Sequence, residues 1–160
     1  MAIFAAGITT CPLCKHVIER GNDTVNFPPL FLNQHHDVFA ITDAVVHRAC
    51  LKERPYARLA LTKLAAYERR RGRPKVCAIC GEVISDPDEY FGTGPLADDP
   101  AEPISRLDWF EAHLSCLATW EGTSGLIRDL LEASRNEDWE GDALPLLAAR
   151  LDELGASKNG

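Results

Sequence analysis

The chain has 160 residues, a hydrophobic content of 46% and a net charge of −7. No apolar run approaches the roughly 20 residues that a membrane helix needs, so we expect no membrane association. The first residues, MAIFAAGITTC, are apolar but lack the charged start of a secretory signal. We therefore expect a cytoplasmic protein.

All six cysteines belong to two copies of one motif, C-x2-C followed by H-x2-C. The second copy lies 66 positions after the first, and the spacer between the second cysteine and the histidine is 32 residues in both. The chain is therefore an internal duplication. The motif positions are Cys11, Cys14, His47 and Cys50 in the first copy, and Cys77, Cys80, His113 and Cys116 in the second.

In the first copy we expect the Cys-x-x-Cys to lie in a tight turn, followed by a short strand over residues 37–42. Asp43 is a suitable N-cap for a helix that carries His47 and Cys50. Residues three apart share one face of a helix, so this helix can present two ligands together. A second helix is predicted over about 56–71.

A basic linker over 72–76 is predicted to join a first module, 1–71, to a second, 77–155. Residues 71–74 read Arg-Gly-Arg-Pro and resemble the core of an AT-hook, which lies extended in the minor groove of A·T-rich DNA. A solvated helix end is the alternative. The candidate nucleic-acid contacts are Arg69, Arg70, Arg71, Arg73 and Lys75.

The second copy repeats this pattern, with a strand predicted over 104–107, Asp108 as N-cap and a helix over 124–135. A further helix without a counterpart in the first copy is predicted from Asp142 to Gly155 and should pack on its own module. Residues 156–160 should form a disordered tail. The apolar face of the last helix consists of Leu144, Leu147, Leu151 and Leu154.

The charge is strongly asymmetric along the chain. Residues 1–46 sum to −2, residues 47–75 to +8, and residues 76–160 to −13. Such polarity favours a charged partner or contact between oppositely charged parts of the chain. We expect the acidic part to bind a basic protein, with nucleic-acid binding by 48–75 as the alternative.

Three cysteines and one histidine per copy form a common ligand set for structural zinc. A disulfide framework is the alternative, but it gives no role to a histidine three residues before the third cysteine of each copy. We therefore predict two structural Zn²⁺ ions and no other cofactor.

A Cys-x-x-Cys knuckle, a hairpin and a helix whose first turn supplies His-x-x-Cys resemble the treble-clef zinc fingers. The long spacing is distantly similar to that of poly(ADP-ribose) polymerase-type fingers, and the first half-site to that of LIM domains. The resemblance implies an α+β fold of two tandem zinc modules, each a knuckle and a short β-hairpin followed by helices.

Four protein ligands per site leave no coordination position for a water molecule, which favours a structural metal over a catalytic one. We expect a non-enzymatic adaptor with no small-molecule substrate. HNH-type nucleases also use a treble clef, and His35 and His36 lie near the strand where a catalytic histidine would be found. Surface histidines are the simpler interpretation of this pair.

Overall fold

The computed structural model describes residues 4–97 and 102–156, which form two units. Unit 1 consists of Met1–Leu32 and His36–Arg73, and unit 2 of Asn33–His35 and Pro74–Gly160. Asn33, only 4% exposed, belongs to unit 2 because its amide group bonds to backbone there. Its Nδ2 donates to the carbonyl of Asp138 at 2.7 Å, and its Oδ1 accepts from the amide of Glu140 at 2.9 Å.

In the described part of the chain, each unit contains one pair of short antiparallel strands. In unit 1, β1 (Thr24–Asn26) pairs with β2 (Val45–His47), and in unit 2, β3 (Tyr90–Gly92) pairs with β4 (Glu111–His113). The last residue of β2, His47, lies opposite Thr24, just as the last residue of β4 lies opposite Tyr90. Both strand pairs therefore end at a histidine of the motif.

Of the five α-helices in the described residues, four follow the same duplication. Unit 1 has α1 (Arg48–Lys52) and α2 (Ala57–Arg71), and unit 2 has α3 (Leu114–Thr119), α4 (Thr123–Ser134) and α5 (Ala143–Ala156). The strands β1 and β2 correspond to β3 and β4, which begin 66 residues later. The helices α1 and α2 likewise begin 66 residues before α3 and α4. Within the described residues, no helix is long and apolar enough to cross a bilayer. The structure is thus a mixture of helices and two small antiparallel strand pairs.

The strands predicted over 37–42 and 104–107 are wrong. Both segments form 3₁₀ helices, Asp37–Ile41 and Pro103–Leu107, at equivalent positions of the two copies. Val38 and Ile41, three residues apart, are both buried in the first of them. Since three residues make one 3₁₀ turn, this spacing places both on the same side.

The predicted N-caps, Asp43 and Asp108, are also wrong. The helices that carry the ligands start later, with His47 and His113 at the N-cap positions. Asp43 instead adopts φ 46°, in the left-handed region. Asp108 uses its carboxylate to accept from the amides of the loop that precedes the 3₁₀ helix, at 2.7 and 2.9 Å.

The other helices agree with the sequence pattern. Helices predicted over 56–71 and 124–135 are found as α2 and α4, and the extra helix as α5. The carbonyl of Asp142 accepts from the amide of Leu146 at 3.0 Å, so α5 begins where predicted. Ala156 is its last residue, and the remainder of the predicted tail lies outside the described residues.

The two units have cores built from the same positions. Apart from the first cysteine of each motif, eight pairs of apolar residues related by the repeat offset are buried in both units. In each unit these buried residues include members of both strands and of the first helix, so the segment that carries the histidine and the third cysteine is part of the core. The pairs are Ile18/Ile84, Val25/Phe91, Leu30/Leu96, Phe31/Ala97, Val38/Ile104, Val46/Ala112, Leu51/Leu117 and Ala60/Leu126.

Unit 2 has an additional layer, since α5 packs against both α3 and α4. The prediction that this helix packs on its own module is confirmed. The layer buries Leu144 and Leu151 to 0% exposure, and Leu130 of α4 likewise. In unit 1, by contrast, α2 has a single buried residue along its length, Ala60.

Candidate metal centres

The Cys-x-x-Cys pairs lie in tight turns whose backbone is the same in both units. The amide of Lys15 donates to the carbonyl of Cys11 at 2.8 Å, and the amide of Gly81 donates to that of Cys77 at 2.9 Å. Both donor residues adopt a positive φ, 63° and 79° respectively. Left-handed backbone here reverses the chain, which lets the two cysteine side chains point to one centre.

The second half of each ligand set lies where a strand becomes a helix. His47 is the last residue of β2, and Cys50 lies in the first turn of α1. His113 and Cys116 occupy the same places in β4 and α3. Because the strand register fixes the histidine and the helical turn fixes the cysteine, both side chains are positioned by regular structure.

The four ligand atoms of each copy meet at one point. In both clusters they all lie within 4.8 Å of one another. His47 Nδ1 is 3.4 Å from Cys14 Sγ and 3.9 Å from Cys50 Sγ. The corresponding distances from His113 Nδ1 in unit 2 are 3.5 Å to Cys80 Sγ and 3.9 Å to Cys116 Sγ.

These distances match those of a zinc tetrahedron. With Zn–S of about 2.3 Å and Zn–N of about 2.0–2.1 Å, a sulfur and a nitrogen at two corners are about 3.6 Å apart. All six cysteines are free thiols, so none is committed to a disulfide. Each Cys3His cluster therefore fits a four-coordinate zinc ion in spacing and in donor chemistry.

Backbone hydrogen bonds stabilise the thiolate form of the first cysteine in each unit. Burial raises the pKa of the Cys77 thiol, but backbone N–H groups of Cys80, His113 and Ile79 outweigh it and lower the pKa to about 6. The same balance lowers the pKa of Cys11 below its ordinary value. Both shifts favour the thiolate, which is the form that binds metal.

The last cysteine of each set shows the opposite shift. Burial, together with hydrogen bonds and charge from the neighbouring cysteines, raises the pKa of Cys50 and of Cys116 to about 11. Three thiolates at one point repel each other, and a divalent cation at the centre removes that cost. The electrostatics of both clusters thus favour a bound cation.

Asn22 supports the first cluster and was not foreseen from the sequence. Its Oδ1 lies 3.2 Å from Nε2 of His47, the ring nitrogen that faces away from the sulfurs. An Nε2–H that donates to this oxygen leaves Nδ1 unprotonated and directed at the metal position. The sequence gives no signal for this role, because Asn22 lies outside the repeated cysteine and histidine positions.

The predicted nucleic-acid contacts lie at the end of α2 and just beyond it. Arg69, Arg70 and Arg71 occupy its exposed last turn, and the amide of Arg73 donates to the carbonyl of Arg70 at 3.0 Å. This is a helix end followed by a turn, not the extended form of an AT-hook. Lys75 is engaged in unit 2, with its Nζ 2.9 Å from Glu111 Oε1.

The histidine pair is not held on a strand. His36 precedes the 3₁₀ helix Asp37–Ile41, and the amide of His35 donates to the side chain of Asn33 at 3.1 Å. Neither histidine belongs to a group of metal-binding side chains found within the described residues.

Comparisons with known proteins give no relative to set beside these two clusters: no family model, curated protein or solved structure matches the chain.

Proposed function

We propose that the protein is a non-enzymatic, cytoplasmic adaptor of two tandem treble-clef-like modules, each stabilised by one structural zinc ion. The observation that carries this proposal is the meeting of three cysteines and one histidine within 4.8 Å in each copy. Four protein ligands complete a tetrahedron and leave no position for water or substrate. The role of each metal is then to hold the knuckle, the strand pair and the first helix together.

Metal analysis of the purified protein tests this proposal. We expect two zinc ions per chain, with all six cysteines reduced by mass spectrometry. One zinc ion, or none with disulfides present, contradicts it. His35→Ala and His36→Ala should leave any metal-dependent nuclease assay unchanged, and activity in the parent that either substitution abolishes would establish an enzyme instead.

The acidic surface of unit 2 supports the proposal that the partner protein is basic. Residues 76–160 sum to −13, and most of their acidic side chains are exposed. Two others are paired within the unit, Glu111 with Lys75 and Asp129 with Arg106 at 2.7 Å. The exposed ones are Glu82, Asp86, Asp88, Glu121, Glu132, Glu137, Asp138, Glu140, Asp142, Asp152 and Glu153.

Nucleic-acid binding is the second candidate, favoured by the exposed arginines at the end of α2. In that mode affinity should fall with salt, by a slope of about −0.9 per phosphate neutralised. Arg71→Ala and Arg73→Ala should remove any preference for A·T-rich duplex. We expect weak or no binding by the full chain at physiological salt, and submicromolar A·T-selective binding would make this the leading function.

A further inference from the structure

Unit 1 has an open groove between α1 and α2. Its volume is about 570 Å³, and it is formed by Lys52 of α1 and by one face of α2. Leu61, at the centre of that face, is 37% exposed. The α2 residues that line the groove are Ala57, Arg58, Leu61, Thr62, Ala65 and Arg69.

In unit 2 the equivalent pair of helices carries a third helix. Helices α3 and α4 are the counterparts of α1 and α2, and α5 packs against both of them. Leu61 corresponds to Ile127 and Ala65 to Leu131, both of which are half-buried in unit 2. Unit 1 has the two supporting helices but, within the described residues, no third helix that packs on them.

The charge of the groove differs between the copies. Lys52, Arg58 and Arg69 place three cations around the apolar face in unit 1. Their counterparts in unit 2 are Ala118, Ser124 and Arg135, of which one is charged. A helix that fits unit 1 would therefore carry acidic side chains beside its apolar stripe.

We propose that the α1–α2 groove of unit 1 binds an acidic amphipathic helix of a partner protein, in the manner in which α5 covers α3 and α4. This inference rests on the proposed adaptor function and adds to it a second binding surface and the chemistry of its partner. Leu61 and Ala65 provide the apolar contact, and the three cations select the acidic flanks.

A labelled synthetic peptide of residues 142–156 with Arg150→Glu is a direct probe. It keeps the apolar stripe of Leu144, Ala148 and Leu151 that is buried in unit 2, and it has acidic residues on both flanks. We expect saturable binding to the zinc-loaded full chain by fluorescence anisotropy. The same peptide with Leu151→Asp should bind at least about tenfold more weakly, because a charge then interrupts the stripe.

A matched pair of leucines on α2 locates the site. Leu59 and Leu61 are both 37% exposed, but only Leu61 lines the groove. Leu61→Asp should weaken peptide binding about tenfold or more, whereas Leu59→Asp should change it by less than about twofold. Arg58→Glu combined with Arg69→Glu should weaken it similarly and make affinity less sensitive to salt.

The outcomes separate this proposal from the one on which it rests. Peptide binding that is unaffected by Leu61→Asp, or absent altogether, overturns the groove proposal even if the protein holds two zinc ions. A dimer that Leu61→Asp dissociates in sedimentation also overturns it, because the occupant is then a second copy. A zinc content other than two contradicts the structural-zinc adaptor, while groove-dependent peptide binding still supports the docking surface.

Discussion

The two units share a Cys3His cluster and differ in what surrounds it. The knuckle, the 3₁₀ helix, the strand pair and the start of the first helix recur at the 66-position offset, and the first helix is one residue longer in unit 2. Beyond that point the units diverge, since α4 is covered by α5 whereas α2 buries only Ala60. The duplication thus separates the part that metal binding requires from the part that was free to change.

The largest expected effect comes from removing either metal. Cys50→Ser and Cys116→Ser each delete one thiolate and should lower the zinc content by one ion per chain. Structural zinc contributes about 10–16 kcal/mol of binding energy in small sites, so each loss should unfold its unit locally. Hydrogen exchange should show that Cys50→Ser exposes the amides of β1 and β2.

The two substitutions should not be equivalent, because unit 2 has a helical core that does not depend on its metal. We expect α4 and α5 to keep part of their hydrogen-exchange protection in Cys116→Ser, since Leu130, Leu144 and Leu151 are completely buried. We expect α2 to lose its hydrogen-exchange protection in Cys50→Ser, because Ala60 is its single buried residue. If both variants lose one zinc ion yet keep the melting temperature of the parent, neither site is structural.

The second effect tests the added layer of unit 2. Leu151→Ala in α5 removes a side chain of 0% exposure and should destabilise unit 2 by about 2–5 kcal/mol. All three tryptophans belong to unit 2, so tryptophan fluorescence during urea unfolding reports on this unit alone. Leu146→Ala, at a position 66% exposed, should change stability by less than about 0.5 kcal/mol. Equal losses in the two variants would show that α5 does not stabilise unit 2.

The third effect distinguishes the two zinc clusters. Asn22→Ala removes the hydrogen-bond acceptor of His47 Nε2 and should weaken zinc binding at the first site about 10–100-fold. Competition with a chromophoric chelator should then release one zinc ion well before the other. Asn26→Ala, an exposed asparagine of β1, serves as the control and should leave the titration unchanged. Simultaneous release of both ions from Asn22→Ala would exclude this role for Asn22.

The ligands and the longer helices were predictable from the sequence because their signals are local. Cysteine and histidine spacing identifies each cluster without reference to the rest of the fold. Helices α4 and α5 repeat apolar residues at helical intervals over three turns or more, so their pattern is unambiguous. The same pattern in α2 predicted its extent but gave no indication that Leu59 and Leu61 remain exposed.

The strands were missed because each is only three residues long. A period of two cannot be recognised in Thr24–Asn26 or Glu111–His113, and the apolar runs nearby belong to the 3₁₀ helices. Asp43 satisfies the preferences of an N-cap, but the chain turns there through a left-handed residue before β2. Tertiary packing of the buried 3₁₀ segments decided these regions, and no local pattern reports it.

The smallest expected effect on stability is at Glu111 of unit 2, which has polar partners where unit 1 has a buried valine. Glu111 Oε1 lies 2.9 Å from Lys75 Nζ and accepts from the hydroxyl of Tyr90 at 3.2 Å. The equivalent of Glu111 in unit 1 is Val45, which is 3% exposed. Glu111→Val should therefore be sterically tolerated and cost about 1 kcal/mol or less, since Lys75 can still reach water.

The pKa of Tyr90 gives this substitution a direct readout. Burial, and then the charge and hydrogen bond of Glu111, raise the pKa of Tyr90 from 10.0 to about 12. Because the folded state holds this proton more tightly, its contribution to stability is complete below pH 10 and is lost as the pH rises through about 12. Glu111→Val should lower the pKa of Tyr90, while burial keeps it above 10. The pH range over which Tyr90 contributes to stability should then end at a lower pH than in the parent. Ultraviolet titration of phenolate measures the shift, and Tyr90→Phe identifies the Tyr90 step among the three tyrosines. A Tyr90 step that stays near pH 12 in Glu111→Val would mean that burial alone sets the pKa of Tyr90 and that Glu111 does not contribute to it.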